Sequence, residues 1–153
     1  MEITNYIKQL MDYCAYRERA HSEVREKAFS LGYNSEEVDE IIVFLIQENF
    51  LNEQRFAESY TYGKFEYNKW GKIKIIQGLK QKDIPDSLIK KALKQIDNEA
   101  YELLIQKLIE QKAAQLNKEK NIWIKKKKIK NFLIQRGFEF KIIDKFLNHY
   151  FNL

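Results

Sequence analysis

Three stretches of this 153-residue chain repeat one another, and this constrains the fold more than any other feature. Val24, Ala28, Gly32 and Tyr33 recur 51 positions later as Ile75, Leu79, Asp83 and Ile84. They recur again after a further 54 as Ile129, Leu133, Gly137 and Phe138. Beyond each turn the register is kept: Val38, Ile42 and Leu45 align with Ile89, Leu93 and Ile96, then with Ile143, Leu147 and Tyr150. Each copy reads as a short helix, a turn and a second helix. A third helix comes after the first two copies, and the last copy is read as truncated. Repeats of this length are the signature of stacked supersecondary units that bury little alone. The expected fold is therefore all-α: tandem three-helix repeats forming an elongated, curved molecule. The expected divisions are an N-terminal helix over 1–16, repeat one over 17–69, repeat two over 70–120 and a truncated repeat three over 121–153.

Local signals support helices throughout. Ile3, Tyr6, Ile7, Leu10 and Cys14 have helical spacing over 3–16. Arg17 to His21 reads as a connector, with Ser22 as the cap of a helix that Gly32 stops. Asn34 and Glu37 have capping-box spacing ahead of a helix over 35–47, whose stripe is Val38, Ile41, Ile42, Leu45 and Ile46. Phe50 and Leu51 should tuck inward, and Asn52 should cap a helix bearing Phe56, Ala57, Tyr60 and Tyr67. Gly71 opens the next helix. Pro85 belongs in the first turn of the one after, with Leu88, Ile89, Ala92, Leu93 and Ile96 on its buried stripe. Asp97 or Asn98 starts a longer helix to about Leu116. No segment alternates with period two for long enough to suggest a strand. With Gly at 5 and Pro at 1, tight-turned sheets are also disfavoured.

Charge divides the chain. Residues 1–61 carry a balance of −6 and residues 62–153 a balance of +11. From Lys118 to Lys130 there are seven lysines and one glutamate. A basic half suits a polyanion or an acidic protein surface, although lysine-rich helices are also ordinary solvated faces. The single cysteine, Cys14, cannot form an internal disulfide. No signal-peptide pattern and no run of about 18 apolar residues is present, so the expectation is a cytoplasmic chain with no membrane contact. His21 and His149 are the only histidines. No metal-ligand spacing, glycine-rich phosphate loop or HExxH motif occurs. The chain is read as a non-enzyme without cofactor or metal.

Specific strings narrow the reading. Arg17-Glu18-Arg19-Ala20-His21-Ser22-Glu23-Val24-Arg25 leads into Leu31-Gly32-Tyr33. Phe50-Leu51-Asn52-Glu53-Gln54-Arg55-Phe56-Ala57 comes next, then Gly71-Lys72-Ile73-Lys74-Ile75-Ile76 and Leu79-Lys80-Gln81-Lys82-Asp83-Ile84. In this order they resemble the RecX regulators, over roughly residues 14–153 and most thinly from 117 onward. The chain departs from the family at the second corner, with Lys82-Asp83-Ile84 where Lys-Gly-Ile is usual. The resemblance implies a modulator, usually an inhibitor, of RecA that lies along the groove of its nucleoprotein filament. It implies restraint of strand exchange, ATP hydrolysis and coprotease activity, with no catalytic site in the chain itself.

The candidate RecA or DNA contacts are Arg17, Arg19, Arg25, Arg55, Lys69, Lys72, Lys74, Lys80, Lys82, Lys125, Lys126, Lys127 and Lys128. Each has an ordinary alternative as a solvated or bridging side chain. Trp70 and Trp123 are candidate base-stacking platforms, with half-buried structural roles as the alternative. The expected partners are the RecA filament and, weakly and with strong salt dependence, single-stranded DNA. The chain is expected to be a monomer. An independent basic DNA-binding module, or a helical scaffold for another protein, remains open on sequence grounds.

Overall fold

The computed structural model describes residues 5–152. The described residues form helices α1 (Asn5–Tyr16), α2 (His21–Ser30), α3 (Ser35–Gln47), α4 (Glu53–Glu66), α5 (Lys72–Gln81), α6 (Asp86–Leu93), α7 (Asn98–Gln115), α8 (Ile122–Gln135) and α9 (Phe140–Phe151). The fold is all-α, in tandem three-helix units, as the repeat requires. Ile3, placed on the first helix by its spacing, lies outside the described residues. No described helix is long and apolar enough to cross a membrane.

The repeat is visible atom by atom. Gly32, Asp83 and Gly137 all have positive φ, at 97°, 59° and 93°. The residue after each donates its N–H five residues back: Tyr33 to Ala28 (3.3 Å), Ile84 to Leu79 (3.2 Å) and Phe138 to Leu133 (3.1 Å). The turn residues themselves donate to Phe29, Lys80 and Ile134. These paired bonds are the Schellman helix stop, which satisfies carbonyls that the helix end leaves open. Val24, Ala28, Ile75, Leu79, Ile129 and Leu133 are all fully buried. Tyr150 breaks the pattern: it is exposed, unlike its counterparts Leu45 and Ile96.

The chain forms two compact units. One takes the residues up to Tyr60 together with Gly78–Ala92, and the other takes Thr61–Gln77 with the residues from Leu93 onward. The first has a core of Ile7, Leu10, Cys14, Val24, Ala28, Val38, Ile41, Ile42, Leu45 and Leu51. Burial pushes the Cys14 thiol up to about 11, against the pull of Arg19, so it stays protonated at neutral pH. In the second unit α7, α8 and α9 all contact one another. Tyr101, Ile105, Ile109, Ile129, Leu133, Phe138, Ile143 and Leu147 are buried there.

Several local expectations hold. Asn34 and Glu37 form the reciprocal capping box, and Asn52 and Asp97 accept from the Arg55 and Ala100 amides. Others need correction. The α2 cap is Ala20, and His21 is already helical. The Glu23 carboxylate reaches back 2.9 Å to the Ala20 N–H, while the Ser22 hydroxyl donates instead to the Lys82 carbonyl. Ile46 is exposed because it lies at the edge of the stripe, one step beyond the Val38, Ile41, Ile42, Leu45 series. Tyr67 lies past the end of α4 and is exposed, with the edge of one ring against the other in its pair with Tyr62. Pro85 precedes α6, its carbonyl accepting from Leu88 and Ile89, and Ile96 is buried beyond the end of α6.

Candidate interaction surfaces

In the first unit the arginine-rich corner is organised around a carboxylate. Glu23 accepts from Arg17 Nη2 at 2.7 Å and from the Ala20 N–H, with Lys82 Nζ 3.7 Å away. Burial alone would raise its pKa. The amide bond, the Arg17 bond and charge, and the Lys82 charge outweigh that and hold the carboxyl below the ordinary glutamate value. Arg17 keeps half of its side chain exposed.

The other candidate arginines have different settings. Arg19 is buried: its Nε donates to the Tyr13 carbonyl at 2.8 Å, and its guanidinium lies 3.6 Å from the Tyr13 ring centre. Arg55 bridges to Glu18 at 3.1 Å and donates to both the side chain and the carbonyl of Asn49. Asn49 has φ 62°, so Arg55 ties down the left-handed corner that ends α3. Arg25 pairs with Asp39 at 2.9 Å on an open surface. Lys80, exposed, and Lys82 belong to this unit.

In the second unit, the entry of α5 is locked to the α8–α9 turn. The Gly71 N–H donates to the Arg136 carbonyl (2.7 Å) and the Ile73 N–H to the Gly137 carbonyl (2.9 Å). Between them the Lys72 N–H donates to the Tyr101 hydroxyl (2.9 Å), which donates in turn to the Glu139 carboxylate. Burial first, then Glu139, drives the Tyr101 phenol well above its ordinary pKa. Three amides that the start of a helix would leave unpaired are thus satisfied by tertiary partners. Spacing along the chain carried no sign of this lock. The presence of two glycines 66 positions apart is its only trace in the sequence.

Lysines around this lock sit on aromatic faces. Lys72 Nζ lies 4.6 Å from the Tyr101 ring centre, and Lys64 and Lys74 lie 4.7 Å and 4.4 Å from that of Trp70. Trp70 is half-buried, whereas Lys69 is exposed and donates to the Glu66 carbonyl. The structure therefore brings Lys72 and Lys74 to the α5 entry.

Asn121 starts α8 ahead of the lysine run, accepting from the Trp123 and Ile124 amides. Lys125 to Lys128 are therefore all helical and fan around the axis. Lys127 and Lys128 are exposed, while Lys125 and Lys126 are half-buried. Lys126 donates to Asn148 Oδ1 (2.6 Å), and Lys128 lies 3.8 Å from Glu119. Trp123 is 70% exposed, outside any half-buried structural role. Phe140, absent from the candidates read from the sequence, is 60% exposed at the first position of α9. Among the described residues no three His, Cys, Asp or Glu side chains are grouped to hold a metal ion.

Comparison with known proteins assigns these helices. A model of the second three-helix domain of RecX matches residues 52–93, and one of the third three-helix domain matches residues 99–147. The chain belongs to the RecX family. The third-domain match runs through the stretch beyond 117 where the string resemblance is thinnest. The family units begin at α4 and α7, whereas the register read from the sequence begins each copy at α2, α5 and α8; the two descriptions group the same helices in a different phase.

Whole-chain relatives agree. The regulatory protein RecX of Clostridium acetobutylicum is 30% identical over 137 residues, covering 88% of this chain and 63% of that protein. That of Bacillus pumilus is 32% identical over 142 residues, covering 92% of this chain and 53% of that protein. The chain thus spans between half and two-thirds of the length of these curated RecX proteins. The crystal structure of RecX from Lactobacillus salivarius superposes with a TM-score of 0.85 at 26% identity, covering 97% of this chain and 96% of that one.

Proposed function

We propose that this RecX-family chain is a non-enzymatic regulator that binds the RecA nucleoprotein filament and inhibits its recombinase, ATPase and coprotease activities. The observation that carries the reading is the thrice-repeated helix–turn–helix, with its Gly32, Asp83 and Gly137 stops, in a chain matched by two RecX domain models. A filament presents identical sites at regular intervals. A ligand made of repeated units can engage several of them, and each further contact is then favoured by the high local concentration that linkage creates. Direct contact with single-stranded DNA is secondary in this reading, weak and salt-dependent, and the chain acts as a monomer.

Arg25 is a suitable probe, because its partner Asp39 is itself exposed and the pair is expected to contribute little to stability. DNA-dependent ATP hydrolysis by RecA should slow when the chain is added at substoichiometric or modest ratios. Arg25→Glu should weaken that effect without loss of helix content. If ATP hydrolysis, filament assembly and disassembly are all unchanged over a broad range of chain concentration, the proposal fails.

A further inference from the structure

We propose that the partly exposed stripe of α8 from Trp123 to Lys130, continued by Phe140 at the start of α9, is a contact site for single-stranded nucleic acid. Trp123 and Phe140 are its stacking platforms, with Lys126 and Lys127 between them as phosphate ligands. This rests on the secondary nucleic-acid contact in the reading above, and gives it a place and a chemistry.

Trp123, Lys126, Lys127 and Lys130 stand at i, i+3, i+4 and i+7, so they share one face of α8. The rise over those seven residues is about 10 Å, and Lys130 Nζ then lies 6.0 Å from the Phe140 ring centre. Two exposed aromatic side chains are therefore linked by a row of ammonium groups, the first of them 5.9 Å from the Trp123 ring. Part of this charge is already met within the chain, since Lys130 pairs with Asp144 at 2.8 Å and Lys126 donates to Asn148. Lys125 and Lys127 make no ion pair among the described residues, and seven lysines stand against one glutamate from 118 to 130.

The rest of the helix explains why the stripe is held open. Ile129 and Leu133 lie roughly 100° around the axis from Trp123, beside the half-buried Lys126 edge of the stripe; they are fully buried and anchor α8 without using Trp123. Stacking on an open aromatic face accepts any base, while spaced lysines track the phosphates; together these are the features of single-strand recognition. A duplex keeps its base faces covered and offers Trp123 nothing to stack on. An anionic membrane surface is a poorer fit. The exposed apolar residues Ile122, Trp123 and Ile124 fill one turn only, and lysines then take over the face.

The test is fluorescence anisotropy of a labelled 20-nucleotide oligo(dT), titrated with the full chain without RecA. Binding at low salt that falls steeply as salt rises is expected. Trp123→Ala should weaken it about ten-fold, and Trp123→Phe should restore most of the loss, with helix content unchanged in both. The double variant Lys126→Gln/Lys127→Gln should lower the slope of log affinity against log salt by about 1.4. The proposal is overturned by absence of oligo(dT) binding at low salt, by Trp123→Ala binding as tightly as the parent, or by equal binding of a 20-base-pair duplex. Binding to phosphatidylserine vesicles without binding to oligo(dT) overturns it too. Because RecA is left out, failure here leaves the filament reading intact, and failure of the RecA assay leaves this site intact.

Discussion

Gly71 and Gly137 meet backbone to backbone: a Cβ on Gly71 would lie 2.4 Å from both the carbonyl carbon and the oxygen of Gly137. A Cβ on Gly137 would lie 2.3 Å from the Lys74 Cβ, at a φ of +93° that L side chains avoid. Gly71→Ala should therefore cost about 1–3 kcal/mol through forced displacement of backbone. Gly137→Ala adds left-handed strain and should cost about 2–4 kcal/mol. Gly63 lies inside α4 with nothing within 4 Å of its missing Cβ. Gly63→Ala should instead stabilise by about 0.5–1 kcal/mol. Urea unfolding of the three variants checks both the signs and their order.

Asp83 occupies the same left-handed stop as Gly32 and Gly137, at φ 59°. An aspartate tolerates that region better than most residues but still carries strain. Asp83→Gly should raise stability by about 0.5–1 kcal/mol, part of the relief being offset by the greater freedom of glycine in the unfolded chain. Asp83→Val should lower it. The thermal midpoints of the pair give the comparison directly.

Tyr101→Phe removes one oxygen that serves two partners, the Lys72 N–H and the Glu139 carboxylate. The ring contacts with Phe65 and Phe138 remain, at 6.1 Å and 5.5 Å between centres. The expected loss is about 1–2 kcal/mol, since two half-buried groups, one of them a carboxylate, lose a hydrogen-bond partner. Hydrogen exchange at the Lys72 amide should accelerate relative to the amides of α9. An unchanged rate there would mean that the hydroxyl does not hold the α5 entry.

Glu23 gives the first unit an acid-sensitive point. Its native pKa lies below its unfolded value, so between the two the unfolded chain binds the extra proton and stability rises with pH. The contribution is complete above the unfolded value of 4.5 and is lost as pH falls through the lowered native one. Glu23→Gln should be less stable at pH 7 and should show a shallower decline below that value. Parallel decline of the two proteins on acidification would contradict the assignment.

The repeat was legible in the sequence because its turns carry a steric demand. Only certain residues accept positive φ, and Gly32, Asp83 and Gly137 occur at matched distances from buried positions. The caps at Asn34, Asn52 and Asp97 were legible for a similar local reason. The features that escaped depend on partners distant in sequence or on neighbouring side chains that compete for one role. Arg19 looks like a surface arginine until the Tyr13 ring and carbonyl take it inside. Ser22 looks like a cap until Glu23 claims the Ala20 amide. Trp123 and Phe140 are apolar residues whose exposure depends on which side of α8 and α9 the core occupies. Residue identity alone does not fix that choice.

Binding to the assembled filament can be read by co-sedimentation. The chain is mixed either with RecA filaments on single-stranded DNA or with the same DNA alone, at a salt concentration where bare-DNA binding has been lost. The chain should pellet with the filaments and stay in the supernatant with bare DNA. A chain that remains in the supernatant in both mixtures would contradict filament binding.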